Sequence, residues 1–123
     1  MDLPKILYVD DEELNLRLFE LNLQKKYTIL KATNGNDGLE ILKKDKEIKL
    51  IISDFRMPIM NGLEFIEKAK KISPNAFYYL LTGFHVTDEI QEALDSKLIF
   101  DYLKKPFDLN EIHEKVEKAL SGS

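Results

Sequence analysis

Cysteine, long apolar runs and long basic runs are all missing from this chain, and each absence excludes a class of protein. Without cysteine there is no disulfide framework, catalytic thiol or thiolate metal site, which is compatible with a cytoplasmic location. No apolar run approaches the roughly 20 residues of a membrane-spanning helix, and the N-terminus lacks the apolar stretch of a signal peptide. Basic residues occur at most in pairs and the net charge is −4, which argues against direct binding of nucleic acid.

The length and composition fit one globular domain. The chain has 123 residues, of which 44% are apolar, enough to bury a core of its own. We place this domain at residues 1–120 and interpret residues 121–123, Ser-Gly-Ser, as a linker stub or an artificial tail. A stand-alone protein and a fragment of a larger one are both compatible with this interpretation.

Strand-like and helix-like segments alternate along the chain. The predicted strands are residues 5–9, 27–32, 49–53, 76–81 and 98–103, and the predicted helices lie near 12–25, 35–45, 62–72, 87–96 and 109–120. Several of the strands are almost continuously apolar, which indicates parallel strands covered on both faces. We therefore predict an α/β fold, a doubly wound five-stranded parallel sheet with five helices in the flavodoxin-like order 2-1-3-4-5.

The first predicted helix has a leucine-rich face. Leu14, Leu18 and Leu21 recur at helical spacing, and Phe19 and Leu23 widen the stripe. We therefore expect the face formed by those three leucines to pack against the sheet.

Polar side chains stand at the ends of four predicted strands. Asp10 and Asp11 follow the first strand, Asp54 the third, Thr82 the fourth and Lys105 the fifth. Because ligands bind at the carboxyl ends of the strands in an open parallel sheet, these side chains are predicted to form one site. Neighbouring carboxylates repel one another unless a cation lies among them. A hard cation such as Mg²⁺, which prefers oxygen ligands, is the expected occupant.

Four short stretches at these strand ends carry a family resemblance. They read Tyr8-Val9-Asp10-Asp11-Glu12, Asp54-Phe55-Arg56-Met57-Pro58-Ile59-Met60-Asn61-Gly62, Leu81-Thr82-Gly83 and Tyr102-Leu103-Lys104-Lys105-Pro106-Phe107. Together and in this order they are specific, and residues 4–120 resemble the receiver domain of bacterial two-component response regulators. The resemblance implies a CheY-like fold and a role as a phosphorelay signalling switch.

The resemblance also implies a phosphoacceptor and a metal site. Asp54 matches the aspartate that receives the phosphoryl group in the family, and Asp10 and Asp11 match the acidic pair that holds Mg²⁺. Asp11 would bind the metal directly and Asp10 through water, with Mn²⁺ able to substitute for Mg²⁺. Asp54 and the backbone carbonyl of Arg56 would complete the protein ligands. The metal would neutralise the phosphoryl oxygens and let one anion approach another.

Further matched residues would respond to the phosphoryl group. Lys105 would bind one phosphoryl oxygen as a compact charge, and the Thr82 hydroxyl would donate to another. Tyr102 matches the aromatic switch position, whose ring moves when the threonine hydroxyl is drawn inward. The surface of helix 4, strand 5 and helix 5 would change as a result.

The implied partners follow from this switch. A sensor histidine kinase or a phosphotransfer protein would supply the phosphoryl group, and an output domain or downstream protein would read the changed surface. Homodimerisation through the same surface is left open. The resemblance implies no enzymatic turnover beyond Mg²⁺-dependent self-phosphorylation from small donors and slow autodephosphorylation.

Three details near the site are also predicted. The family usually has a cis peptide before the matched proline, which implies a cis Lys105–Pro106 bond. Alternation along the strand end turns Lys104 toward solvent. Bulky Phe84, two residues after Thr82, is hypothesised to shield the acyl phosphate from water.

Three other functions fit the pattern less well. A haloacid-dehalogenase-type phosphohydrolase also uses an aspartate nucleophile and Mg²⁺, but it needs a second aspartate where this chain has Arg56. A flavodoxin or nucleotide binder is disfavoured because neither a P-loop nor a GxGxxG motif is present. A degenerate receiver that only binds proteins is disfavoured by the complete set of site residues.

Overall fold

Five strands and five helices alternate in the structure, a computed structural model that describes residues 3–83, 86–106 and 108–121. The strands are β1 (Lys5–Val9), β2 (Thr28–Ala32), β3 (Ile48–Asp54), β4 (Phe77–Thr82) and β5 (Asp101–Lys104). The helices are α1 (Glu13–Leu23), α2 (Gly35–Lys44), α3 (Gly62–Ile72), α4 (Asp88–Asp95) and α5 (Leu109–Ser121). Every predicted element is present in the predicted order. Within the described ranges, each helix is too short or too polar to cross a lipid bilayer.

All the strands are parallel and lie in the order β2-β1-β3-β4-β5, which confirms the predicted topology. Near the carboxyl ends of β1 and β3, Val9 pairs with Ser53. At the corresponding end of β4, Thr82 pairs with Lys104 of β5. The register therefore brings the ends of these four strands to one edge of the sheet, where an open α/β sheet binds its ligands.

The core has two layers because successive side chains of a strand point to opposite faces of the sheet. On one face, Leu7 and Val9 pack with residues of α2, α3 and α4. On the other face, Ile6 and Tyr8 pack with residues of α1 and α5. All four side chains are fully buried. Burial on both faces explains why the inner strands are nearly continuous apolar runs.

The buried face of α1 is only partly the predicted one: Phe19 and Leu23, predicted to widen the apolar stripe, are buried, but the three leucines predicted to line it are not. The residues that pack on the sheet are Leu16, Phe19 and Leu23. Those three leucines are exposed, at 66% for Leu14, 42% for Leu18 and 59% for Leu21. Both sets recur at helical spacing, so periodicity alone does not choose between them. The ring of Phe19 packs 4.6 Å from the ring of the buried tyrosine on β1, and this contact belongs to the face that is buried.

β5 is also shorter than predicted, and it begins at Asp101 rather than at residue 98. The amides of Leu98 and Ile99 donate to the carbonyl of Ala93, at 2.9 and 3.2 Å. These residues therefore close the C-terminal turn of α4 instead of extending the sheet. Lys97 has a φ of 64°, the left-handed conformation that commonly ends a helix. An apolar run can thus serve a helix end as well as a strand.

Candidate functional site

Three carboxylates meet where β1 and β3 end. Asp54 is the last residue of β3, while Asp10 and Asp11 directly follow β1. Each contributes one carboxylate oxygen to a group whose atoms all lie within 4.8 Å of one another. Asp10 is fully buried and Asp54 is 3% exposed, whereas Asp11 is exposed. A set of anionic oxygens without nitrogen or sulfur suits a hard divalent cation, so these residues fit Mg²⁺.

A lysine that follows β5 reaches this group of acids. Nζ of Lys105 lies 3.0 Å from Oδ1 of Asp54. The backbone N–H of Lys105 donates to the carbonyl of Thr82 at 2.9 Å, so the end of β4 holds the lysine in place. The Lys105–Pro106 peptide is cis and Lys104 is exposed, and both predictions are confirmed. An ammonium group is thus held directly beside the Asp54 carboxylate.

The surroundings of Asp54 disfavour its charged form. Burial raises the pKa of Asp54 to about 6, and the negative charges of Asp10 and Asp11 act in the same direction. The hydrogen bond and the charge of Lys105 oppose this rise. Burial is the largest influence on Lys105 and lowers its pKa, but the hydrogen bond to Asp54 and the nearby negative charges together outweigh burial, and the net pKa is raised. A cation among the acids would relieve the repulsion and favour ionised Asp54.

Three hydrogen-bond donors hold the Asp10 carboxylate. The Tyr8 hydroxyl donates to its Oδ2 at 2.5 Å, and Nδ2 of Asn15 donates to the same oxygen at 3.2 Å. The backbone N–H of Glu12 donates to Oδ1 at 2.9 Å. Tyr8 and Asn15 are absent from the predicted site. Strand alternation places Tyr8 on the same face as Asp10 and could have identified it, whereas Asn15 depends on how α1 packs.

Thr82 and Tyr102 lie on adjacent strands and on the same face of the sheet. Thr82 ends β4 and is 1% exposed. Tyr102 pairs with Leu80, which is two residues before Thr82, so the two side chains are diagonal neighbours. Nζ of Lys115 donates to the Tyr102 carbonyl at 2.6 Å and lies 5.5 Å from the centre of its ring. Tyr102 is half-buried, between this lysine and the core.

The loop after β3 closes over the end of that strand. The N–H of Gly62 donates to the carbonyl of Phe55 at 2.7 Å. The side chain of Arg56, in this loop, is exposed. Phe84, the predicted shield, and Phe107, in the fourth matching stretch, lie outside the described residues.

Comparison with known proteins identifies the family of this chain. The family model of the response regulator receiver domain matches residues 6–117. Sporulation initiation phosphotransferase F of Bacillus subtilis is 32% identical over 117 residues, which cover 94% of this chain and 93% of that protein. Transcriptional regulatory protein GlrR of Escherichia coli is 31% identical over 119 residues, which cover 96% of this chain but only 26% of that protein.

A solved structure shares the fold as well as the sequence pattern. Response regulator protein TrrA of Thermotoga maritima, in complex with Mg²⁺ and BeF, is 32% identical to this chain with a TM-score of 0.80. The match covers 95% of this chain and 99% of that one. The chain therefore belongs to the family of response regulator receiver domains, which accept a phosphoryl group on an aspartate.

Proposed function

We propose that this chain is a phosphorelay switch that accepts a phosphoryl group on Asp54 from a sensor histidine kinase or a phosphotransfer protein. The observation that carries the proposal is the composition of the pocket. Oδ1 of Asp54 lies 3.0 Å from Nζ of Lys105. One carboxylate oxygen from each of Asp54, Asp10 and Asp11 lies within 4.8 Å of the other two. A carboxylate in such a setting can attack phosphorus and form an aspartyl phosphate.

In the proposed transfer step, one carboxylate oxygen of Asp54 forms a bond to phosphorus. The bond from phosphorus to the imidazole nitrogen of the donor breaks, and its electron pair leaves with that nitrogen. Lys105 pairs with one phosphoryl oxygen as a compact positive charge. The Thr82 hydroxyl donates a hydrogen bond to another phosphoryl oxygen.

The acids would hold Mg²⁺, for which Mn²⁺ can substitute. The proposed ligands are Asp11 and Asp54 directly, Asp10 through water, and the backbone carbonyl of Arg56. When bound, the cation would neutralise the negative charge on the phosphoryl oxygens during transfer. This assignment is supported by the all-oxygen character of the described cluster.

The proposed output is a changed surface and not a second reaction. The Thr82 hydroxyl turns toward the phosphoryl group, and the Tyr102 ring, its diagonal neighbour, moves in response. The surface of α4, β5 and α5 then binds an output domain or a downstream protein. Self-phosphorylation and slow autodephosphorylation are the reactions of the domain itself. We also propose that the domain comprises residues 1–120 and that the protein is cytoplasmic.

Incubation with acetyl phosphate and Mg²⁺, followed by intact-mass measurement, tests the proposal. We expect one added phosphoryl group in the wild type and none in Asp54→Asn. Asp45→Asn is the matched control, because Asp45 pairs with Lys5 at the start of β1, on the opposite edge of the sheet. That variant should be labelled like the wild type. An unlabelled wild type, or normal labelling of Asp54→Asn, would contradict the proposal.

A further inference from the structure

We propose that Tyr8 and Asn15 are positioning residues that fix the orientation of the Asp10 carboxylate and thereby set the affinity of the site for Mg²⁺. The inference rests on the Mg²⁺ site proposed above. It adds to that site two residues that act through Asp10. Both donate to the same oxygen of Asp10, one from β1 and one from α1.

Hydrogen bonds use most of the acceptor capacity of Asp10. An ionised carboxylate has about four acceptor positions, two on each oxygen. The Tyr8 hydroxyl, at 2.5 Å, and the Asn15 amide, at 3.2 Å, occupy both positions on Oδ2. The N–H of Glu12, at 2.9 Å, occupies one position on Oδ1. Among the described contacts, one position on Oδ1 is left for the cation or for a water bound to it.

The two donors are themselves held in place. Tyr8 is fully buried, and its ring packs 4.6 Å from the ring of Phe19 on α1. Asn15 lies in the first turn of α1, and its position follows that helix. Because β1 and α1 pack in the same core layer, the carboxylate between them is held in one orientation. Hydrogen bonds of this kind orient metal ligands, and their loss typically lowers metal affinity by about 10–100-fold.

The other fully buried tyrosines show that a buried hydroxyl does not need a carboxylate. Tyr78 donates to the carbonyl of Ser73 at 2.8 Å, and Tyr79 donates to the carbonyl of Lys115 at 2.5 Å. Those backbone acceptors satisfy the hydroxyl without involving the acid cluster. Tyr8 differs from them because its acceptor belongs to the candidate metal site.

Titration with Mg²⁺, followed through backbone amide chemical shifts, tests the inference in Tyr8→Phe. We expect the Kd for Mg²⁺ to rise about tenfold. Tyr78→Phe is the matched control, since it removes the hydroxyl of another buried tyrosine and should leave the Kd unchanged. Asn15→Ala acts on the same oxygen from a partly exposed position and should also raise the Kd. It therefore serves as the test if Tyr8→Phe does not fold. An unchanged Kd in Tyr8→Phe or in Asn15→Ala overturns the role of that residue.

A double-mutant cycle separates positioning from general packing. If Tyr8 acts through Asp10, Tyr8→Phe should have no further effect on the Kd in an Asp10→Ala background, which has no side-chain oxygen to accept from the hydroxyl. An undiminished effect in that background would overturn the inference. A wild-type protein that binds no Mg²⁺ would overturn the proposed metal site as well. Wild-type binding with unaffected variants would overturn this inference alone.

Discussion

Ionisation of Asp54 lowers the stability of the folded, metal-free protein. Its pKa is about 6 in the folded protein, where burial is the main cause, and near 4 in an unfolded chain. The folded state therefore binds the proton more tightly than the unfolded state. The stability that this proton supplies is fully present below about pH 4 and is lost as the pH rises through about 6.

We predict that the difference in unfolding free energy between Asp54→Asn and the wild type changes in favour of the variant by about 2–3 kcal/mol from about pH 4 to pH 7. The reason is that asparagine does not ionise. Urea unfolding of both proteins in EDTA at the two pH values measures this change. Asp45→Asn should show no such gain, because the hydrogen bond from Lys5 lowers the pKa of Asp45, so that its ionised form already stabilises the folded protein over this range. A pH-independent difference between Asp54→Asn and the wild type would refute the prediction.

Gly62 allows the loop after β3 to close against the site. A Cβ at this position would lie 2.3 Å from the backbone oxygen of Asp54 and 3.0 Å from Cα of Phe55, and neither atom belongs to a flexible side chain. We predict that Gly62→Ala costs about 1–3 kcal/mol of stability and slows labelling by acetyl phosphate, because Asp54 must shift. Denaturant unfolding and initial labelling rates measure the two effects.

Gly83→Ala is the control for this steric argument. The nearest described atoms to a Cβ at Gly83 are those of the Lys105 side chain, at 3.8 Å, which is ordinary contact. That variant should keep nearly the stability of the wild type. Equal losses in the two variants would show that the crowding at Gly62 is not the cause.

At the scale of the element, α1 offers a matched pair of leucines. Leu16 is 5% exposed and Leu18, two residues further along the helix, is 42% exposed. We predict that Leu16→Ala lowers the free energy of unfolding by about 2–5 kcal/mol, because it leaves a cavity in the core. Leu18→Ala should cost less than about 1 kcal/mol, because its side chain is already hydrated. Urea unfolding compares the two, and a larger loss in Leu18→Ala would contradict the observed face.

The elements differ in how far the sequence determines them. β1 and β3 are predictable because burial on both faces requires a continuous apolar run. The face of α1 is not, since Leu14 and Leu16 both belong to stripes with helical spacing and only the tertiary contacts decide which is buried. The start of β5 is likewise decided by hydrogen bonds from Leu98 and Ile99 to α4, which local sequence does not reveal.

At the scale of the whole molecule, topology explains why the site is largely predictable. Once the strands are parallel and in the order 2-1-3-4-5, the ends that carry Asp11, Asp54 and Lys105 share one edge. What topology leaves undetermined is the orientation of each side chain. The contact of Asn15 with Asp10 depends on the packing of a helix against a strand, which periodicity does not describe.

The same convergence would make the proposed Mg²⁺ binding a property of the folded state. Asp10, Asp11 and Asp54 come together only when β1 and β3 pair, so the unfolded chain has no equivalent site. A ligand that binds only the folded protein raises the free energy of unfolding, by about 2.7 kcal/mol at 100 times its Kd. We therefore predict that Mg²⁺ raises the Tm of the wild type.

Asp11→Ala should lose most of this response. Asp11 is exposed and adds little to the core, so removing its carboxylate should leave the metal-free protein folded and even relieve repulsion of Asp54. Glu13→Ala is the control, because it removes another exposed acid, in the first turn of α1, outside the cluster. Thermal unfolding with and without MgCl₂, at constant ionic strength, measures the response. If Asp11→Ala responds as strongly as the wild type, the stabilising cation binds elsewhere, and the pocket loses its role as a metal site.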